Sequence, residues 1–112
     1  MGIKEFSEKY HIERRKIDYW TNLGCLHPTF KENNYRDYGE NCEREIKLLI
    51  IFEAAGFMAS SDFKVLLERF MNGFLPYDYK YLLYMLDEEQ KKSEDLFKSA
   101  KAYLKDIMRN KN

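Results

Sequence analysis

Residues 14–28 read RRKIDYWTNLGCLHP, and the fold follows from how this stretch divides. Three cations, Arg14-Arg15-Lys16, open it. Ile17 and Trp20 then recur at helical spacing, with Leu23 or Gly24 extending the same face. Gly24 is a natural helix stop, and Pro28 keeps the helix from resuming. Upstream, Ile3, Phe6 and Tyr10 sit at i, i+3 and i+7 of a short amphipathic segment, and His11-Ile12 forms a tight link before Glu13. Two short helices joined by a few residues, the second with its cations in the first turn, predict a helix-turn-helix. In that motif the N-terminal part of the second helix enters the major groove.

Working outward, Thr29 to Tyr38 carries Asn33-Asn34 between aromatics. Asparagine tolerates positive φ, so a small β-hairpin is expected, and a hairpin in this place is a wing. Asn41 is expected to cap a helix from Cys42 to Ala55 that Gly56 ends. Ile46, Leu48, Leu49, Ile50, Ile51 and Phe52 make that helix apolar nearly all round, as a helix sandwiched between two surfaces must be. Ser60-Ser61-Asp62 is expected to cap a fourth helix, with Phe63, Leu66, Leu67 and Phe70 inward and a stop near Asn72-Gly73.

The last third changes character. After Pro76 there is no proline or glycine, and Leu82, Leu86, Glu89, Ser93, Leu96, Ala100, Tyr103 and Ile107 alternate in steps of four and three. That is a heptad seam with a polar middle. A single helix over 77–108 would be about 48 Å long and could not bury its seam alone. The expectation is therefore mainly α: a winged helix-turn-helix over 1–74, then a long coiled-coil dimerisation helix in 75–112. The charge run 87–95 reads as the solvated face of that helix. Phe74, Tyr77, Tyr79, Tyr81 and Tyr84 read as hinge packing, with a small-molecule pocket as the alternative.

Composition narrows the function classes. The chain has 112 residues, 19 cations against 19 anions, 45% hydrophobic and 16% aromatic residues, which suits one globular domain with an appended element. No apolar run approaches a membrane span, and no signal-peptide core follows the N-terminus, so a cytoplasmic chain is expected. Cys25 and Cys42 stand apart and the histidines are isolated, so no disulfide framework, metal site or cofactor is expected. No nucleophile–base pair or phosphate loop is present, and an enzyme is not expected. With zero net charge any phosphate grip must be local, at Arg14-Arg15-Lys16 with Lys31 and Arg36.

The series Ile3-Lys4-Glu5-Phe6-Ser7, Arg15-x-Ile17-x-Tyr19-Trp20, Leu23-Gly24-Cys25-Leu26-x-Pro28, Asn34-Tyr35-Arg36-x-Tyr38 and Ala55-Gly56-Phe57 resembles the MerR family of bacterial transcription regulators over about residues 2–70. The resemblance implies a winged helix-turn-helix homodimer held by an antiparallel coiled coil, acting on double-stranded DNA. Arg14, Arg15, Lys16 and Tyr19 would lie at the recognition helix, and Lys31, Asn34, Tyr35, Arg36 and Tyr38 in or beside the wing. Leu82, Leu86, Leu96, Ala100, Tyr103 and Ile107 would form the dimer seam. Relatives distort promoter DNA, which is shape readout, and RNA polymerase would be a further partner.

Two departures stand out. The family usually has an arginine immediately before the aromatic pair; here it is Asp18. A carboxylate among phosphates costs affinity unless it accepts from a cytosine amino group or pairs with Arg14 or Arg15. The chain also ends at Asn112, just past the seam, so effector sensing by an appended region is not expected. Alternatives are an architectural, excisionase-like factor of a mobile element, or an interaction module that has lost DNA binding.

Overall fold

The computed structural model describes residues 1–59, 62–73, 75–89 and 94–110. Its elements in chain order are α1 (Ile3–Tyr10), α2 (Arg14–Asn22), β1 (Thr29–Phe30), β2 (Arg36–Asp37), α3 (Glu40–Ala54), a 3-10 turn (Phe57–Ala59), α4 (Phe63–Asn72), α5 (Pro76–Glu89) and α6 (Glu94–Asn110). Two compact units result, Met1–Ile46 and Lys47–Asn112. The boundary falls inside α3, earlier than the expected division at 74/75.

In the first unit α1 packs on α2. Between them His11 adopts the left-handed conformation (φ 56°), and its neighbour Ile12 donates its N–H back to Ser7 O at 3.2 Å, closing the turn. The end of α2 is a Schellman motif: Cys25 N–H donates to Trp20 O at 2.9 Å and Gly24 N–H to Thr21 O at 3.0 Å. Gly24 has φ 82°, and a Cβ there would touch nothing within 4 Å, so the glycine is required by conformation rather than by space.

The wing is the expected hairpin, with Thr29 opposite Asp37 and Phe30 opposite Arg36. Its turn closes through Asn34 N–H to Lys31 O and Lys31 N–H to Tyr35 O, both 2.9 Å, with Asn34 at φ 61°. Only the second of the two asparagines takes the left-handed state, which gives a three-residue loop ending in a bulge. Phe6, Ile17, Trp20, Leu26 and Tyr38 form the buried core. Phe6 lies flat on Tyr38 at 4.7 Å and edge-on to Tyr10 at 5.2 Å, so helix and wing share one aromatic cluster.

α3 starts at Glu40, two residues earlier than expected. Asn41 does not cap it; its amide donates to His27 O at 2.8 Å, while buried Glu45 accepts from His27 N at 3.0 Å and meets its Nδ1 at 2.6 Å. The segment between helix-turn-helix and wing is thereby tied to α3.

In the second unit Leu48 to Phe52 are buried, as an all-round apolar helix requires. Phe52 meets Phe57 and Phe70 edge-on at 5.3 and 5.4 Å. In α4 Leu67 and Phe70 are buried, whereas Phe63 and Leu66 are only partly covered; Ser60 and Ser61 lie outside the described residues. α5 begins with Pro76 in its first turn, and Asp78 reaches back to accept from Leu75 N–H at 2.7 Å, half of a capping box.

The expected single helix over 77–108 is instead two helices, α5 and α6, packed on one another. Leu82, Leu86, Ala100 and Leu104 are buried in this chain alone, so part of the seam is satisfied without a second copy. Leu104 replaces Tyr103 and Ile107, both half-buried, in the inward register. Ser93 and the side chains of Glu89 and Leu96 lie outside the described residues. The hinge aromatics also differ from expectation: Tyr77, Tyr81 and Tyr84 are exposed along one face of α5, and Phe74 lies outside the described residues. Tyr81 alone of these three has an aromatic neighbour among the described residues, Phe57 at 5.8 Å.

Candidate nucleic-acid interface

The cations at the start of α2 sort by helical geometry, because residues four apart share a face. Arg14 shares its face with Asp18, Arg15 with Tyr19, and Lys16 with Trp20. Ile17 and Trp20 are buried against the core, which turns Arg14, Arg15 and Tyr19 to solvent. The Lys16 ammonium lies over the Trp20 ring, 5.3 Å from its centroid, so its stem is held along the helix. Among the described residues neither Arg14 nor Arg15 is engaged in an ion pair.

The wing comes up beside the Arg14–Asp18 face. A cleft of about 640 Å³ lies between them, lined by Arg14, Asp18, Lys31, Asn34, Tyr35 and Arg36 together with Gly2 and Ile3. Residues named from the sequence as far apart as 14 and 36 thus border one groove. Arg15, Lys16 and Tyr19 do not line it; Arg15 and Tyr19 lie on the exposed side of α2, and half-buried Lys16 lies along Trp20. The cleft carries Arg14, Lys31 and Arg36 against one carboxylate, so it is locally cationic in a chain of zero net charge.

Asp18 pairs with neither Arg14 nor Arg15. Its Oδ1 accepts from Arg36 Nη1 at 2.7 Å, a contact from recognition helix to wing that sequence spacing does not reveal. The same Nη1 donates to the Tyr38 hydroxyl at 3.4 Å. The Arg36 guanidinium is held above its ordinary pKa by the Tyr38 hydroxyl first and the Asp18 carboxylate as well, against the opposing effect of burial. Arginine is a cation at any working pH, so the consequence is orientation rather than charge.

Tyr38 is a core residue with no accessible surface, stacked on Phe6, and its ring offers no face to a duplex. Expected as a wing contact, it is corrected to an anchor beneath the wing. The Thr21 hydroxyl donates to Ile17 O at 2.7 Å, which leaves its oxygen to accept the Tyr38 proton at 3.3 Å. A directed chain results, from Arg36 to Tyr38 to Thr21 to the backbone of α2.

The wing also presents aromatics to solvent: Tyr35 is 71% exposed and Phe30 66%. Phe30 was not among the residues singled out from the sequence. Its signal there was an aromatic in a strand too short to bury it, flanked by polar residues. On the far strand the Met1 amine donates to Asp37 Oδ1 at 2.7 Å and holds that carboxyl below the usual range.

The family model described as MerR HTH family regulatory protein matches residues 1–60. Over 48 residues the chain is 36% identical to the HTH-type transcriptional regulator CueR of Bacillus subtilis (strain 168), which covers 43% of this chain and 34% of that protein. The match thus spans about a third of that relative's length. No solved structure matches the chain. Matched over more than half its length, from α1 through the wing and α3, the chain belongs to the MerR HTH family of regulatory proteins.

Proposed function

We propose that this chain is a DNA-binding transcription regulator of the cytoplasm that seats α2 in the major groove and lays its wing along the adjacent backbone. The observation that carries the reading is the shared cationic cleft: α2 and the wing bring Arg14, Lys31 and Arg36 around one groove. Arg15 and Tyr19, on the exposed face beyond the cleft, are the base-edge and phosphate contacts of the helix. Arg14, Lys16, Lys31, Asn34, Tyr35 and Arg36 hold the backbone, and Asp18 and Tyr38 act through Arg36.

Homodimerisation belongs to the same proposal. Buried Leu82 and Leu86 of α5 and Ala100 and Leu104 of α6 mark the faces on which these helices pack. In an antiparallel pair the contact made here within one chain would be exchanged, α5 of one chain packing on α6 of the other. The two wings would then grip a pseudo-palindrome whose DNA bends or twists to fit, in a promoter where RNA polymerase is the neighbour.

The test is selection of genomic fragments by the full chain at low salt. Enriched fragments sharing an inverted repeat are expected. Enrichment of no duplex would overturn the DNA-binding reading and leave a protein-interaction module. Light scattering at micromolar concentration is expected to give the mass of two chains; one chain's mass would remove the dimer and the palindrome with it.

A further inference from the structure

Asp18 occupies a position that faces DNA in the proposed complex, and a carboxylate there repels phosphate. We infer that Asp18 is a positioning residue that sets sequence discrimination by fixing Arg36, at the expense of general electrostatic grip. The inference rests on the DNA-binding reading above.

One corner of the Arg36 guanidinium faces the protein and one edge is left over. Arginine has five N–H donors, two on each Nη and one on Nε. Nη1 is engaged twice, with Asp18 Oδ1 at 2.7 Å and more loosely with the Tyr38 hydroxyl at 3.4 Å. What remains is the edge formed by Nε and Nη2, the parallel fork that matches two oxygens of one phosphate. Tyr38 is fully buried and handed on to Thr21, so Arg36 is anchored to α2 at two points. A shift of the wing along the groove breaks these contacts with the recognition helix, so a phosphate held by that edge favours one register of the helix on its bases.

Charge points the same way. Asp18 neutralises Arg36, so the pair releases little counterion and contributes little to indiscriminate binding. The pair is half exposed, 49% at Asp18 and 29% at Arg36, and such pairs add little to folding stability. Its consequence therefore falls on binding, and Asp18 can be changed without unfolding the chain.

The experiment measures affinity of the full chain for two duplexes: the fragment most enriched by selection, and a random-sequence duplex of equal length. For Asp18→Ala, affinity for the random duplex is expected to rise about threefold, and the ratio of enriched to random affinity to fall about tenfold. In an Arg36→Ala background the same change should leave the ratio within about twofold, because the effect runs through Arg36. Asp18→Asn, which keeps an acceptor oxygen but not the charge, should retain more of the ratio than Asp18→Ala. An unchanged ratio in Asp18→Ala overturns the inference, as does an equal fall in the Arg36→Ala background or equal ratios for the alanine and asparagine variants. If the unaltered chain binds neither duplex, the DNA-binding reading itself has failed, a result distinct from these.

Discussion

Two arginine–aspartate pairs in this molecule have the same chemistry and the same 2.7 Å contact, yet their surroundings assign them opposite tasks. Asp78 is 2% exposed; it takes both Nη groups of Arg69 and also Leu75 N–H at the start of α5. Three donors converge on a carboxylate out of water, and removing it leaves a backbone amide without its acceptor. Asp18 is 49% exposed and takes a single N–H. Burial, not distance, separates a pair that holds a fold from one that aims a side chain.

The largest expected effect follows from that contrast. Asp78→Ala should lower unfolding free energy by about 2–3 kcal/mol, through the lost buried acceptor and the lost helix cap. Urea denaturation measures it, and a loss no greater than that of Asp18→Ala would erase the distinction.

Next in size is an alkaline effect that neither pair produces, since guanidinium groups stay charged. Burial first, then the charge of Glu45, pushes the Cys42 thiol from its ordinary 9.0 up to about 11. The fold binds that proton more tightly than the unfolded chain does. Stability from this source is therefore complete below pH 9.0 and is lost as the pH rises through about 11. Cys42→Ala should flatten the alkaline limb of a melting-temperature profile. An alkaline limb that survives unchanged in Cys42→Ala would place the titration in a group other than this thiol.

Tyr38→Phe comes third. It removes only the hydroxyl between Arg36 and Thr21, at a cost of about 1 kcal/mol, and should reduce discrimination between duplexes in the same direction as Asp18→Ala. Asp18→Ala is the smallest in stability, within about 0.5 kcal/mol of the unaltered chain. A larger loss would make the wing pair structural after all.

The sequence carried much of the first unit because its signals are local. Ile17 and Trp20 at helical spacing, the glycine at 24 and the asparagines at the wing turn each constrain a few neighbouring residues. It carried the seam of the last third only as a period. A heptad pattern says which residues want burial, not whether a second chain or the same chain covers them, so α5 and α6 read as one helix. The Asp18–Arg36 pair was beyond local reading, since its partners stand eighteen positions apart, with the end of α2, a turn and most of the wing between them. Tyr38 shows the same limit from the other side. A motif tyrosine next to a wing strand looks like a contact until the stacking on Phe6 places it inside.

If the start of α2 and the wing grip duplex DNA, as proposed, their phosphate contacts make binding steeply dependent on salt. The full chain and an Arg14→Ala/Arg15→Ala/Lys16→Ala variant should be titrated against an enriched duplex over a range of salt concentrations. For the unaltered chain log affinity should fall linearly with log salt, and in the variant the slope should be shallower by about 0.9 for each phosphate contact removed, with unfolding unchanged. No binding at the lowest salt, or an identical slope in the variant, would contradict the account.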